Sequence, residues 1–219
     1  MKSKSAVLQT LKSTGVVAVI RAQDARDLAD VGRALRAGGV QFLEITMTVP
    51  GALGAVEKAV SALKDEDLHI GVGTVLDAET ARLAILAGAQ YIVTPVFRPS
   101  IVETCRRYGV AVIPGAFSPT EVLGAWEAGG DVVKIFPAGI GGPQYFKDLQ
   151  GPLGHIDLMP TGGVNRETAP RFIRAGACAV GVGGELASKE LIAARDYDTI
   201  TKNAADFITL VAQAKKTAH

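Results

Sequence analysis

Residues that build metal centres and disulfide frameworks are scarce in this sequence. Its 219 residues include only two cysteines and three histidines. Cys105 and Cys178 lie too far apart for a metal-binding motif, and two cysteines are too few for a disulfide framework. Because His69, His155 and His219 are scattered along the chain, a histidine-based metal centre is not expected either. The sequence therefore predicts no metal site.

Long apolar runs and an excess of charge of one sign are also absent. No apolar run approaches the length of about 18 residues that a membrane-spanning helix needs. The basic first 15 residues hold too short and too interrupted an apolar stretch for a signal peptide. Lys and Arg number 23 against 22 Asp and Glu, so electrostatics give no reason to expect nucleic acid or an anionic membrane as a partner. We expect a cytoplasmic protein that binds neither.

What the sequence does have is a regular alternation of apolar, β-branched runs with helix-like segments. The apolar runs are nearly continuous, which is typical of parallel strands that are covered on both faces. A capping box at Ser118–Glu121 marks one helix start, and glycines such as Gly129 mark helix ends. Eight strands are predicted, and they end near residues 21, 45, 73, 94, 114, 135, 160 and 182.

Eight strand–helix units in succession predict an α/β fold of the (β/α)8 TIM barrel type, which usually needs ~250 residues. The pattern leaves a doubly wound open sheet as the alternative, although that fold usually has fewer strands, as in the common six-stranded order. An extra N-terminal helix, around residues 3–13, could close the bottom of the barrel. Since no linker or low-complexity segment interrupts the chain, residues 1–219 are interpreted as a single domain.

Three ionisable residues stand at or near the ends of predicted strands, inside otherwise apolar runs: Arg21, Glu44 and Lys134. In a TIM barrel this end of the strands carries the chemistry. Burial would lower the pKa of Lys134 and leave an amine able to attack a carbonyl. Burial would raise the pKa of Glu44 toward a value suited to proton transfer. Arg21 could hold a carboxylate or phosphate through two parallel hydrogen bonds.

A purely structural interpretation of the same residues stays open. Buried charges are costly unless they are paired. Lys134 and Glu44 could form an ion pair inside the barrel, and Arg21 could pair with Glu44 at the end of the first strand.

Glycine-rich segments follow the last two predicted strands, at Thr161–Gly163 and Gly181–Gly184. The loops after strands 7 and 8 of a TIM barrel are its usual phosphate site, and glycine lets the backbone approach the anion. Ordinary tight turns would have the same composition. The candidate phosphate-binding residues are Gly162, Gly163, Gly183 and Gly184. Neither segment is a Walker motif and no complete GxGxxG follows the first strand, so no cofactor is predicted.

Further candidates stand at the ends of other strands. Thr74 closes a GVGT segment and offers a hydroxyl, Pro95 follows the fourth strand, and Phe136 follows Lys134. Each has a structural alternative, namely a turn, a strand end and a core position.

In their order along the chain, these segments resemble the KDPG/KHG aldolase family of 2-dehydro-3-deoxy-phosphogluconate and 4-hydroxy-2-oxoglutarate aldolases. The similar 2-dehydro-3-deoxy-6-phosphogalactonate aldolases stand beside them. The resemblance covers about residues 14–186. The matching motifs are VVAVIRA, GGVQFLEITMTVPGAL, IGVGTVLD, GAQYIVTP, VIPGAFSPTE, VKIFPA, GPQYFK, PTGGV and AVGVGG.

The resemblance implies a class I, metal-independent aldolase, usually a homotrimer, with Lys134 as the Schiff-base lysine and Glu44 as the general acid/base. It implies cleavage of 2-dehydro-3-deoxy-6-phosphogluconate to pyruvate and glyceraldehyde 3-phosphate, and extends to 4-hydroxy-2-oxoglutarate. The 6-phosphogalactonate epimer is the alternative substrate. The other implied contacts are carboxylate binding by Thr74 and Arg21, substrate binding by Thr161, and phosphate binding by Gly162, Gly163 and Gly183.

Two positions depart from that family. Many members have Arg where this chain has Thr48, so carboxylate binding should rest more on Arg21. Many also have Ser at Gly184, and the next residue, Glu185, would repel a phosphate. These departures bear on phosphate affinity. Two other functional hypotheses remain. One is a phosphosugar isomerase or epimerase, which would not need an imine-forming lysine, and the other is a non-catalytic phosphosugar-binding barrel.

Overall fold

A computed structural model describes residues 3–21 and 27–217. Within these ranges the chain forms nine strands and ten helices. The strands are β1 (Val16–Ile20), β2 (Phe42–Thr46), β3 (His69–Gly73), β4 (Tyr91–Val93), β5 (Ala111–Ile113), β6 (Gly115–Ala116), β7 (Val133–Ile135), β8 (Leu158–Pro160) and β9 (Val180–Val182). The helices are α1 (Lys4–Thr14), α2 (Leu28–Ala37), α3 (Ala52–Ala62), α4 (Ala78–Leu86), α5 (Pro99–Tyr108), α6 (Pro119–Glu127), α7 (Ala138–Leu153), α8 (Thr168–Arg174), α9 (Lys189–Ala194) and α10 (Tyr197–Lys216).

The strands form a curled, parallel α/β architecture. Six of them pair in the order β5-β4-β3-β2-β1-β9, and β6, β7 and β8 form a second sheet. The ladders between these strands are parallel. Isolated bridges connect Leu158 to Ala177 and Thr161 to Gly181, between the second sheet and the chain around β9. The predicted α/β class is therefore confirmed.

The fifth predicted strand, over residues 110–114, is divided in the structure. Pro114 separates β5 from β6, because proline has no backbone N–H with which to continue a ladder. The backbone carbonyl of Pro114 still accepts a hydrogen bond from the Lys134 N–H, at 2.8 Å. The chain therefore changes sheets at this proline, and β6 delivers the pairing partner for Lys134.

Both faces of the strands are buried, which explains why the strand segments are continuous apolar runs in the sequence. Successive side chains point to opposite faces. On β1, Val16 and Ala18 pack into the large cluster that includes the helices, while Val17 and Val19 belong to a second, smaller cluster. We call the face of this second cluster the inner face. Its other strand residues include Phe42, Tyr91, Val93, Ala111, Ile113 and Met159.

The predicted N-terminal helix is present as α1, and it covers one end of the inner face. Val7 and Leu11 belong to the inner cluster. Lys4 forms a 2.7 Å ion pair with Asp131, and Lys12 pairs with Asp157. Since both aspartates stand just before strands, α1 covers the amino ends of the strands and leaves their carboxyl ends open.

The predicted local signals are also present. The Ser118 side chain caps α6 in a capping box with Glu121, and Gly129 takes a positive φ of 98° just after that helix. Among the described helices, none has the length and apolarity that crossing a bilayer requires.

Candidate active site

Lys134 and Glu44 both lie on the inner face of the strands. Lys134 is in β7, two residues after Val132 of the inner cluster, and Glu44 is in β2, two residues after Phe42. Lys134 is 4% exposed and Glu44 is fully buried. The alternation of a strand thus places an amine and a carboxyl among apolar side chains, as the sequence predicted.

The two charged groups do not form a contact ion pair. Within the described ranges, neither carboxyl oxygen of Glu44 has a hydrogen-bond partner. Lys134 Nζ instead faces the ring of Phe136, 5.1 Å from its centroid. The structural alternative, in which a close Lys134–Glu44 bridge neutralises both charges, is therefore not what the structure shows.

Burial moves the pKa values of these two groups toward each other. Desolvation lowers the pKa of Lys134, and the charge of Glu44 opposes this while Arg21 adds to it. Desolvation raises the pKa of Glu44, opposed by the positive charges of Lys134 and then Arg21. A lysine that loses its proton easily can act as a nucleophile, and a carboxyl that gains one easily can shuttle protons.

Two glycines of β3 make room for this arrangement. A Cβ atom built on Gly73 would stand 2.5 Å from Cδ of Glu44, and one built on Gly71 would stand 2.3 Å from Cζ of Tyr91. In this segment the sequence alone predicts only Thr74 as a site residue. The overlooked signal is a glycine at alternate positions of a strand, which indicates close approach by a neighbouring group.

Six of the predicted site residues line one pocket of about 360 Å³. They are Arg21, Thr161, Gly162, Gly163, Gly183 and Gly184. The remaining lining residues are Val19, Val164, Asn165, Gly181 and Glu185. The pocket lies at the carboxyl ends of β1, β8 and β9, where the sequence places the candidate phosphate site.

Side chains connect this pocket to Lys134. The ring of Phe136 lies 3.3 Å from where a Cβ of Gly162 would stand, so one ring touches both the lysine and the pocket loop. Arg21 is exposed at the end of β1. Its Nη1 atom lies 3.6 Å from the position that a Cβ atom on Gly183 would occupy. Thr161 is 4% exposed, and its hydroxyl has no hydrogen-bond partner among the described residues.

Thr74 and Pro95 do not line this pocket. They follow β3 and β4, and β3 pairs with β2, the strand that carries Glu44. Both are half-buried, and Thr74 has a φ of 60°, a left-handed conformation that is uncommon for residues other than glycine. Such strain is often found at functional sites.

Thr48 and Glu185, which stand at the departures from the family pattern, each contact a neighbouring side chain. The Thr48 hydroxyl lies 2.7 Å from that of Thr46. Glu185 lines the pocket, but its carboxylate also lies 3.7 Å from Nη1 of Arg166. The negative charge beside the pocket is therefore partly compensated. Asn165, which the sequence does not mark as a site residue, also lines the pocket.

The described residues contain no cluster of three or more His, Cys, Asp or Glu side chains suited to holding a metal ion.

Comparison with known proteins agrees with this geometry. The family model "KDPG and KHG aldolase" matches residues 7–203. The chain is 35% identical over 201 residues to a 2-dehydro-3-deoxy-phosphogluconate aldolase of Treponema pallidum, covering 89% of this chain and 92% of that protein. It is 37% identical over 160 residues to the 2-dehydro-3-deoxy-6-phosphogalactonate aldolase of Escherichia coli, covering 73% and 77%.

Solved structures give the same result. One described as native KDPGal superposes with a TM-score of 0.85 at 30% identity, covering 92% of this chain and 96% of the other. A KDPG aldolase from Legionella pneumophila, solved with pyruvate captured as a covalent carbinolamine, superposes with a TM-score of 0.84 at 25% identity, covering 93% and 97%. The chain belongs to the KDPG and KHG aldolase family and is an aldehyde-lyase.

Proposed function

We propose that this chain is a class I aldolase that cleaves 2-dehydro-3-deoxy-6-phosphogluconate into pyruvate and glyceraldehyde 3-phosphate. The observation that carries the proposal is Lys134, an almost fully buried amine whose pKa is lowered by desolvation and whose ammonium forms no ion pair within 4 Å among the described residues. Such a lysine suits imine formation with a 2-keto acid.

The scaffold we propose is a closed (β/α)8 barrel that forms a single domain over residues 1–219. Support comes from β1, which pairs with both β2 and β9, and from the bridges Leu158–Ala177 and Thr161–Gly181. Only Pro114 interrupts the chain between β5 and β6. Taken as one bent strand, these two would complete a ring of eight.

Lys134 begins the proposed reaction. Its unprotonated amine attacks the C2 carbonyl of the substrate to form a carbinolamine, which takes up one proton and loses its hydroxyl as water to leave a protonated imine. The positive nitrogen, double-bonded to C2, is an electron sink for the negative charge that develops at C3. The apolar residues around Lys134 exclude bulk water and keep its amine form accessible.

Glu44 supplies the proton transfers of the next steps. Its carboxylate removes the proton of the C4 hydroxyl, through a water molecule. The C3–C4 bond then breaks, its electrons move toward the imine nitrogen, and glyceraldehyde 3-phosphate leaves as the aldehyde. The remaining enamine takes a proton at C3, and hydrolysis releases pyruvate and regenerates the Lys134 amine. The raised pKa of Glu44 suits a group that accepts and returns one proton.

Binding of the rest of the substrate is divided over the site. We assign the carboxylate to Arg21 and Thr74, and a wall of the pocket to Pro95 and Phe136. The unpartnered hydroxyl of Thr161 would contact the substrate chain. The phosphate would bind the backbone of the two glycine loops, at Gly162, Gly163, Gly183 and Gly184.

Two neighbouring activities belong to the same proposal. The E. coli relative at 37% identity favours the 6-phosphogalactonate epimer as a second candidate substrate. The family model also includes KHG aldolases. Unphosphorylated 4-hydroxy-2-oxoglutarate, which would be cleaved to pyruvate and glyoxylate, is therefore a third candidate substrate. Comparing kcat/KM on the three substrates would rank them.

We infer that the enzyme works as a cytoplasmic homotrimer. Apolar side chains are exposed on the adjacent helices α4 and α5, including Leu83 at 49%, Leu86 at 61% and Tyr108 at 42%. An exposed apolar surface of this kind is typical of a protein interface, and a second copy of the chain would cover it.

Borohydride reduction in the presence of pyruvate tests the imine chemistry. The expected result is a covalent adduct on the peptide that carries Lys134, found by mass spectrometry. Protein that is folded, yet gives no adduct at that peptide, would contradict the proposed function.

A further inference from the structure

The hydroxyl group of Tyr91 is buried in the inner face without an evident partner. Tyr91 is 1% exposed, and its hydroxyl oxygen has no hydrogen-bond partner among the described residues. Leaving a buried hydroxyl without a partner destabilises the folded protein, so buried polar groups in proteins almost always bind another polar group or an ordered water. A phenylalanine would fill the same space without this cost.

Strand register directs this hydroxyl toward β2. Glu44 of β2 lies opposite Gly71 of β3, and Gly71 lies opposite Tyr91 of β4. Because Gly71 has no side chain, the outer half of the Tyr91 ring, at Cζ, Cε1 and Cε2, occupies the volume in which a Cβ would stand. Adjacent strands are about 4.8 Å apart, so the ring crosses over β3. It packs against Phe42 of β2, with ring centroids 5.5 Å apart.

The carboxyl group of Glu44 occupies the adjoining level of the same face. It extends toward the carboxyl end of the strands, over Gly73. Both of its oxygens are buried and lack hydrogen-bond partners in the described ranges. Burial and the charge of Glu44 raise the pKa of Tyr91 well above its ordinary value, so the phenol keeps its proton and remains a donor. Among the described residues, an unpartnered donor and an unpartnered acceptor therefore lie on neighbouring levels of one buried face.

We propose that Tyr91 is a positioning residue for Glu44, whose carboxyl it holds from the inner side through one shared, buried water molecule. The inference rests on the proposed function only where it concerns catalysis. A water bound by two polar groups is a usual solution for buried donors and acceptors that do not touch. The hydrogen bond favours the carboxylate form and fixes the orientation in which it meets the substrate.

Other titratable groups face the same carboxyl and must be separated from Tyr91. Lys134 on β7 and Arg21 at the end of β1 both lower the pKa of Glu44. His69 on β3 lies one level further in, opposite Phe42 and stacked on its ring at 4.7 Å. A phenylalanine in place of the tyrosine leaves these three groups unchanged, so a difference from the wild type reports the hydroxyl.

The test compares the pH dependence of kcat in wild type and Tyr91→Phe. Loss of the donor destabilises the carboxylate, so the acid limb should move up by about one pH unit, which is about a tenfold loss of kcat below the limb. On the plateau, where Glu44 is ionised in both proteins, only the loss of its orientation remains, so kcat should fall by a smaller factor than it does below the limb. Tyr197→Phe is the matched control, since its hydroxyl is also buried and has no hydrogen-bond partner in the described part of the chain, but it belongs to α10. That variant should leave the limb in place.

A direct titration separates this inference from the proposed function. The Glu44 side-chain carboxyl carbon can be followed by ¹³C NMR, with its signal assigned through Glu44→Gln. In Tyr91→Phe its midpoint should rise. A raised midpoint with an unmoved kcat limb would support the Tyr91–Glu44 link and contradict the catalytic role of Glu44. An unmoved midpoint would overturn the link.

A wild-type measurement covers the case in which Tyr91→Phe does not fold. A hydrogen-bonded, buried hydroxyl exchanges slowly enough for its proton to be seen by NMR. The Tyr91 hydroxyl signal should shift when Glu44→Gln removes the negative charge. A signal that stays unchanged would also overturn the inference.

Discussion

The carboxyl of Glu44 occupies the space in which a side chain at Gly73 would stand, on the next strand. A Cβ atom there would lie 2.5 Å from Glu44 Cδ. Carbon atoms in real structures do not approach so closely without a shift, and both residues are buried among rigid strands. The position of the proposed general base is thus set by the absence of a side chain on its neighbour.

Gly73→Ala should therefore impair catalysis more than folding. The added methyl group would push the carboxyl away, and a misplacement of about 1 Å can cost about 100-fold in rate. We expect kcat to fall by about that factor while the pyruvate adduct of Lys134 still forms under borohydride. Gly54→Ala is the control, because a Cβ on Gly54 in α3 meets nothing within 4 Å. Normal kcat in folded Gly73→Ala would contradict the assigned role of Glu44.

Substitution of the two buried ionisable residues should separate imine formation from proton transfer. Lys134→Ala should abolish cleavage and the borohydride adduct together, since the nucleophile is gone. Glu44→Gln should lower kcat by about 100- to 10,000-fold but largely retain the adduct. Lys147→Ala, which removes an exposed lysine of α7, should leave both readouts unchanged. Near-normal turnover by Lys134→Ala would disprove the mechanism.

Imine formation should depend on pH through Lys134. Burial lowers the pKa of Lys134 below its ordinary 10.5, so the rate of adduct formation should reach half of its limit below pH 10.5. The negative charge of Glu44 opposes that shift. Glu44→Gln removes the opposition, and the midpoint should move to still lower pH. Timed borohydride reductions over a pH series measure both midpoints, and a midpoint that rises in the variant would refute this electrostatic coupling.

Much of the site was predictable because its chemistry is visible within single segments. Lys134 and Glu44 interrupt apolar strands, and glycines follow the last two strands whatever the partners of those strands are. The structure brings Arg21, Thr161 and the glycine loops to one pocket. The α/β class follows from the same local patterns, since continuous apolar runs require cover on both faces.

What could not be predicted depends on pairing between distant segments. The approach of Glu44 to Gly73 and the reach of Tyr91 over Gly71 come from register across β2, β3 and β4. No local pattern fixes that register. The roles of Thr74 and Pro95, like those of the other candidate site residues, remain predictions.

The charge of Glu185 beside the pocket should weaken phosphate binding. Its carboxylate lines the pocket and is only partly compensated by Arg166 at 3.7 Å. Glu185→Gln should lower KM for the phosphorylated substrate by about two- to fivefold, a modest effect because both side chains are exposed. The KM for 4-hydroxy-2-oxoglutarate, which has no phosphate, should not change. Glu103→Gln is the matched control, since Glu103 pairs with Arg107 on α5. An equal effect on both substrates would contradict a phosphate-specific role.

Disruption of the apolar surface on α4 and α5 should change the oligomeric state without unfolding the subunit. Leu86 is 61% exposed, so Leu86→Asp removes little packing within one chain, while it would place a charge inside an interface. Light scattering after size-exclusion chromatography should give a trimer for the wild type and a smaller species for the variant. Ile140→Asp makes the same change at a side chain that is 75% exposed at the start of α7, and it should remain trimeric. A Leu86→Asp protein that is folded and still trimeric would place the interface elsewhere on the molecule.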